Sequence, residues 1–172
     1  MVIPTVHRLS CSSTQDVARE MLLTTPPPFA VTADEQTAGR GQRDRVWHSV
    51  PGNLHLTVAL PWQGEDTAIP AFALSLAKAL HQVIQGYIPQ ARLKLPNDIY
   101  IGEKKIAGMI TERHGNAMLV GIGVNIAHAP LETATCLRDG GVDAAPGALA
   151  IKITTLLLNN VTFVTDFSGD KG

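Results

Sequence analysis

Glycine and arginine alternate through Gly39-Arg40-Gly41-Gln42-Arg43-Asp44-Arg45, and Trp47 follows two residues later. Guanidinium groups are always charged and present fork-shaped donors to a phosphate or carboxylate. Glycines between them bring bare backbone N–H groups within reach of the same anion. Trp47 adds a flat apolar surface suited to a purine or another apolar ligand. A solvated basic turn would have the same composition. The common phosphate loops do not account for the stretch: G-x-x-x-x-G-K-[ST] does not occur, and both "GRGQRD" and "GIGVNI" lack the third glycine of G-x-G-x-x-G. A P-loop kinase or a Rossmann dehydrogenase is therefore disfavoured.

Two further segments pair glycine with polar side chains. In "KLPNDIYIGEKKIAGMITE", Lys105 stands three residues before Gly108, and Lys94, Asn97 and Asp98 form a turn ahead of it. A lysine there can reach an anion lying against side-chain-free backbone, although hairpin lysines commonly face solvent. In "VGIGVNI", Gly121, Gly123 and Asn125 share one face of a strand. Alternate glycines weaken a strand, so a ligand or another backbone comes close there. Six histidines are scattered without metal-ligand spacing, and no metal is assigned to side chains.

The elements that must position these residues follow from periodicity. "SSTQDVAREMLL" predicts a first helix capped by Ser12 with Gln15 three residues on. "FAVTAD" predicts a strand running into the arginine loop, and "LHLTVAL" a strand alternating inward and outward residues. "IPAFALSLAKALHQVIQGY" predicts a long helix that buries Phe72, Leu76, Leu80 and Ile84. "ARLKL", "DIYIGEKKIAGMITE" and "AMLVGIGVNIA" predict strands joined by hairpins at "IGEKK" and "RHGN". A last helix is predicted in "ALAIKITTLLLNN", ahead of a polar tail. Runs of strands and helices without a regular βαβ rhythm give an α+β fold: a mixed, mainly antiparallel sheet with flanking helices.

The 172 residues suit one domain. With 14 Lys and Arg against 15 Asp and Glu, no general basic field advertises nucleic acid or an anionic membrane. Two cysteines without close spacing and a start lacking a signal-peptide pattern indicate a cytoplasmic protein. The apolar runs read as shorter than the roughly 20 residues of a membrane span.

Taken in order, "SSTQ", "EQTAGRGQRDRVW", "GNLHLTVAL", "KLPNDIYIGEKKIAGMITE" and "VGIGVN" resemble the catalytic domain of the biotin protein ligases, from about Leu9 to Asn125. The resemblance implies the biotin/lipoate ligase fold, which is like that of class II aminoacyl-tRNA synthetases. It also implies an activity: biotin and MgATP give biotinyl-5′-AMP, and the biotinyl group then passes to a lysine of a biotin carboxyl carrier protein, as in acetyl-CoA carboxylase. By this similarity Ser13, Thr14, Gln15 and Gln36 line the biotin head-group site. Arg40, Gly41 and Gln42 form the loop that closes over biotin and the adenylate. Arg43 and Arg45 face the ATP phosphates, and Trp47 and Asn125 meet the nucleotide. Lys105 contacts the biotin carboxylate and the α-phosphate, while Gly108, Gly121 and Gly123 let the biotin tail lie against strand backbone. Asp98 orients or deprotonates the acceptor amine, so Lys105, Arg40 and Asp98 form the catalytic set.

The family commonly has Trp at Leu95, often Arg at Gln42 and often Gly at Asp44. Losing one charge and gaining an opposing one leads to the expectation of a loop that holds the adenylate less firmly. The domain is expected to span residues 1–160, with 161–172 a short tail, no counterpart of the family's C-terminal β-barrel and no DNA-binding module ahead of it. Neither DNA nor a membrane is an expected partner, and a homodimer fits exposed sheet edges. The alternatives are a lipoate ligase or acyltransferase on the same scaffold, and a non-catalytic biotin or biotinyl-AMP binding protein.

Overall fold

Among the described residues, seven strands form one sheet in the order β1-β2-β3-β7-β6-β5-β4. The computed structural model describes residues 3–43 and 45–166, the side chains of 162–166 excepted. The strands are β1 Thr5–Cys11, β2 Phe29–Gln36, β3 Leu54–Pro61, β4 Arg92–Lys94, β5 Asp98–Ile101, β6 Lys104–His114 and β7 Ala117–Val124. The α-helices of the described residues are α1 Thr14–Met21 and α2 Ile69–Gln85, between strands, and α3 Pro146–Asp166 after the last strand. Only β1 and β2 pair in parallel; every other neighbouring pair is antiparallel. The α+β architecture predicted above is the one observed.

The two faces of the sheet are covered unequally. Leu54, Leu56, Val58 and Leu60 of β3 and Met118, Val120, Ile122 and Val124 of β7 join Phe72, Leu76, Leu80, Ile84, Leu149, Ile153 and Leu157 of α2 and α3 in the main core. Full burial of each such side chain contributes about 1.5–3 kcal/mol against the entropy of ordering the chain. On the opposite face α1 covers only a small cluster, Ala18 with Phe29, Val31, Ala59 and Leu119. A helix of eight residues is about 12 Å long. It cannot cover seven strands, and the part of this face left over is where polar and glycine residues gather.

Several expectations shift. β1 is missing from the sequence reading, and its residues are mostly exposed. The first helix is capped by Ser13, not Ser12: the Ser13 hydroxyl accepts from the Asp16 N–H at 3.1 Å, a contact typically worth about 1 kcal/mol. This one-residue shift buries Gln15 instead of leaving it as a capping side chain. β3 does not alternate between core and water, because both of its faces are buried. The stretch Asp66–Gln85 has 20 residues and a mean hydropathy of 1.3, long and apolar enough for a membrane span, which corrects the reading that no run reaches that length. Its Phe72, Leu76, Leu80 and Ile84 lie in the core. Helix α3 runs to Asp166, past the expected boundary at 160; residues 167–172 of the expected tail lie outside the described residues. The hairpins at Gly102 and Gly115 are observed, both glycines at φ 57°, where a side chain would be strained.

Asn53, just before β3, ties the end of β7 to the rest of the fold. Its Oδ1 accepts from the N–H groups of Ile126, Ala127 and His128 at 2.9, 3.0 and 3.1 Å. Its Nδ2 donates to the His128 carbonyl at 2.9 Å. Asn53→Ala leaves several of these groups without partners and is expected to cost about 3 kcal/mol, read as a lower urea midpoint at unchanged slope.

Candidate functional site

The pairing register aligns one row of residues across five strands on the α1 face: Ala33, His55, Gly123, Gly108 and Asp98. The adjacent row holds Val31, Thr57, Gly121 and Ile110. Large side chains continue each row to the sides, and glycines leave its middle low. Over this depression lies a cavity of about 700 Å³, within the usual range for a small-molecule site. It brings together every site residue predicted from the sequence that the structure describes. Asp44 lies outside the described residues.

The inner end of the cavity is a chain of amides and hydroxyls, buried at Thr14, Gln15 and Thr57 and half-buried at Gln36. Gln36 Oε1 accepts from the Thr14 N–H at 2.8 Å and lies 3.1 Å from Thr14 Oγ1. Thr14 Oγ1 is 2.8 Å from Thr57 Oγ1, whose hydroxyl donates to Gln15 Oε1 at 3.0 Å. Gln15 Nε2 donates to the Leu119 carbonyl at 3.4 Å. Because the Thr14 N–H can only donate and the Leu119 carbonyl can only accept, both carboxamides are fixed in orientation. Thr57 is a site residue that the sequence reading missed. In the sequence it reads as an outward position of an alternating strand, and only the assembled fold buries that face.

The outer end is cationic. Lys105 Nζ sits 2.8 Å from Asp98 Oδ1 and 5.5 Å from the centre of the Trp47 ring. Lys105 is held by its backbone: its N–H donates to the Thr133 carbonyl and its carbonyl accepts from the Thr135 N–H. Asn125 Nδ2 donates to the carbonyls of Thr135 and Lys105 at 3.1 and 3.5 Å. Asn125 is 2% exposed, so its amide donors serve the backbone that carries Lys105, not the open cavity.

The glycines make room for the protein's own side chains. A Cβ on Gly123 would lie 2.2 Å from Trp47 Cε2, and one on Gly121 would lie 2.8 Å from Gln15 Oε1. One on Gly108 would meet Lys105 Nζ at 2.9 Å. The close approach foreseen at these positions is therefore made by Trp47, Gln15 and Lys105, and not by bare backbone held open for a ligand.

The arginine stretch folds back on itself. Trp47 N–H donates to the Gly39 carbonyl at 2.9 Å, and Gly41 N–H to the Arg45 carbonyl at 2.7 Å. Gly39 is required here, since a Cβ would come 2.5 Å from the Trp47 carbonyl oxygen. Arg40 Nη2 reaches Asp16 Oδ1 at 2.7 Å and so pins the hairpin to α1. Burial alone would raise the Asp16 carboxyl, but hydrogen bonds involving Ser13, Arg40 and Ser12 and the Arg40 charge outweigh it and hold Asp16 below its ordinary value. Gln42, Arg43 and Arg45 are exposed along the rim.

Behind the polar end, His55 is 1% exposed. Its Nδ1 lies 3.3 Å from the Ala33 carbonyl and its Nε2 3.0 Å from Ser49 Oγ. Burial is the largest influence and pushes the imidazole below its ordinary value of 6.5, opposed by the Ala33 carbonyl, Asp34 and Glu35. The unfolded chain thus takes up this proton more readily than the folded one. The stability contributed is fully present above about pH 6.5 and is lost as the pH falls towards the lower folded-state value. Urea midpoints measured from about pH 8 down to about pH 5 should fall through this window, with a shallower fall in His55→Gln.

A buried amide pocket, a lysine and an arginine hairpin thus meet in one cavity on one sheet face. The chain belongs to the Biotin/lipoate A/B protein ligase family, whose sequence model matches residues 8–127. It is 41% identical over 108 residues to the biotin--[acetyl-CoA-carboxylase] ligase of Paracoccus denitrificans, an alignment covering 58% of this chain and 45% of that protein. The biotin protein ligase of Leishmania major in complex with biotinyl-5-AMP superposes with a TM-score of 0.84 at 31% identity, over 95% of this chain and 76% of that one. The biotin protein ligase of Aquifex aeolicus in complex with biotin and ATP gives 0.80 at 27% identity, over 92% and 70%. The chain spans less than half the length of the curated relatives it matches.

Proposed function

We propose that this chain is an ATP-dependent biotin protein ligase that forms biotinyl-5′-AMP and transfers the biotinyl group to a lysine of a biotin carboxyl carrier protein. The observation that carries this reading is the continuity of one cavity from the Gln36–Thr14–Thr57–Gln15 end to Lys105 and the arginine hairpin. A ureido ring must have its donors and acceptors matched once buried, and the fixed carboxamides and the Ser13 hydroxyl supply them. The biotin tail then runs along Gln15 and the Trp47 indole, which themselves fill the space over Gly121 and Gly123, and its carboxylate meets Lys105.

A carboxylate oxygen attacks the α-phosphorus of ATP, the bond to the β-phosphate oxygen breaks, and pyrophosphate leaves. The two reactants are both anions, and the Lys105 ammonium lowers their repulsion and stabilises the charge of the in-line displacement. Arg40, Arg43 and Arg45 add charge from the hairpin, Trp47 bounds the nucleotide side, and Asn125 braces the backbone that carries Lys105. Mg2+ enters as the counter-ion of ATP. In the second step the acceptor amine attacks the acyl carbon and AMP leaves. The amine proton passes to Asp98, which gives up part of its contact with Lys105 as the substrate charge arrives. The free thiols Cys11 and Cys136 fit a reducing, cytoplasmic setting.

The test incubates the chain with biotin, MgATP and a carrier domain and follows carrier mass, with lipoate in a parallel reaction. Carrier biotinylation is the expected result. Adenylate without transfer would confine the chain to the first half-reaction, and no adenylate would overturn the enzyme reading; lipoylation would move the substrate assignment.

A further inference from the structure

The β2–β3 ladder stops at Ala33 and His55, while β2 itself continues to Gln36. Beyond the ladder the Gln36 N–H needs another acceptor, and Ser49 Oγ supplies it at 2.8 Å. Ser49 in turn meets the buried His55 Nε2 at 3.0 Å. Each proton in this chain can be placed. The Ala33 carbonyl can only accept, so His55 carries its hydrogen on Nδ1 and presents a lone pair at Nε2. The Ser49 hydroxyl therefore donates to His55, which leaves its oxygen to accept from Gln36.

Gln36 is the last residue of β2, where the chain leaves the sheet for the arginine hairpin. Its Oε1 is committed to Thr14, and its Nε2 lies close to Gly39 at the root of that hairpin. We propose that His55 and Ser49 are positioning residues: the His55 lone pair orients Ser49, and Ser49 fixes the backbone from which Gln36 presents its amide to the ligand's polar head. This rests on the reading of the cavity as a biotin site. Neither residue touches the ligand. Their effect is to make the Gln36 donor pre-organised, so that binding does not have to order it.

The experiment is titration calorimetry of biotin with the wild-type chain, Ser49→Ala, His55→Leu, His55→Gln and Gln36→Ala, with urea midpoints measured alongside. Ser49→Ala and His55→Leu should each weaken biotin binding about tenfold, the scale of one buried donor losing its defined geometry. His55→Gln, whose amide oxygen can accept from Ser49, should recover to within about threefold of wild type. In the Gln36→Ala background Ser49→Ala should change affinity less than about twofold, because nothing remains to be positioned. Ser49→Ala binding as tightly as wild type, or weakening the Gln36→Ala protein as much as the wild type, would overturn the proposal. So would lowered midpoints with unchanged affinity, the pattern of a merely structural pair. A wild-type chain that does not bind biotin would instead overturn the reading of the cavity, and this role with it.

Discussion

Lys105→Ala is expected to lower biotinyl-5′-AMP formation by about 10²–10³-fold, the usual cost of removing one preorganised charge from a developing transition state. Lys105 is the ammonium nearest the sheet at the point where cavity, Asp98 and Trp47 converge. The other cations that line the cavity are engaged or lie at its edge: Arg40 is bound to Asp16, Lys94 sits over the Tyr100 ring, and Arg43 and Arg45 lie on the exposed rim. The backbone at 105 is held by Thr133, Thr135 and Asn125, so truncating the side chain leaves the strand in place. Pyrophosphate release measures the first step. The control supplies biotinyl-5′-AMP directly and follows transfer to the carrier. Transfer should fall far less than adenylation; an equal fall in both would assign Lys105 to general integrity of the site and not to the adenylation step.

Gly123→Ala is expected to have the second largest effect. The new methyl would lie 2.2 and 2.3 Å from Trp47 Cε2 and Cζ2, far inside contact distance, so the indole must leave its seat on β7. Overpacking of this kind typically costs about 1–3 kcal/mol even after relaxation. Here the group displaced belongs to the hairpin that closes the cavity. The protein has two tryptophans, and Trp62 lies in the core against Phe72, 4.7 Å between ring centres. A red shift in the emission of one tryptophan, with the other unchanged, would therefore report Trp47 entering water. Adenylation should fall about tenfold or more. In a Trp47→Ala background, Gly123→Ala should add little; an undiminished effect there would show that something other than the indole occupies the space.

The parts of this fold that could be read from sequence are those whose signal is local. Helix α2 shows its buried stripe at Phe72, Leu76, Leu80 and Ile84, and the hairpins show their glycines at 102 and 115. β1 carries little such signal, because it is an exposed edge strand paired in parallel with β2 and shows no apolar alternation. The choice between Ser12 and Ser13 as cap was decided by which one lets Gln15 turn inward, a fact of the assembled sheet. His55 and Thr57 were hidden for a related reason: an alternating strand reads as half solvated, whereas β3 has α1 and the cavity on its second face. The glycine pair in β7 did announce a close approach. Its partners, Gln15 more than a hundred residues earlier and Trp47 beyond a separate hairpin, are brought there only by the tertiary fold. Asn125 was legible as a polar residue beside the site, yet its donors go to backbone carbonyls that no local pattern discloses.

The wall of the cavity is drawn from residues as far apart in the chain as Ser13 and Ala134. No single element contains it, and no unfolded form can offer it. Occupancy is therefore paid back to the whole sheet by mass action: at a hundred times the dissociation constant a ligand adds about 2.7 kcal/mol to global stability. Amides in the centre of β3 and β7, beneath α2 and α3, should then exchange with deuterium about a hundredfold more slowly when the cavity is filled, although they touch no ligand atom.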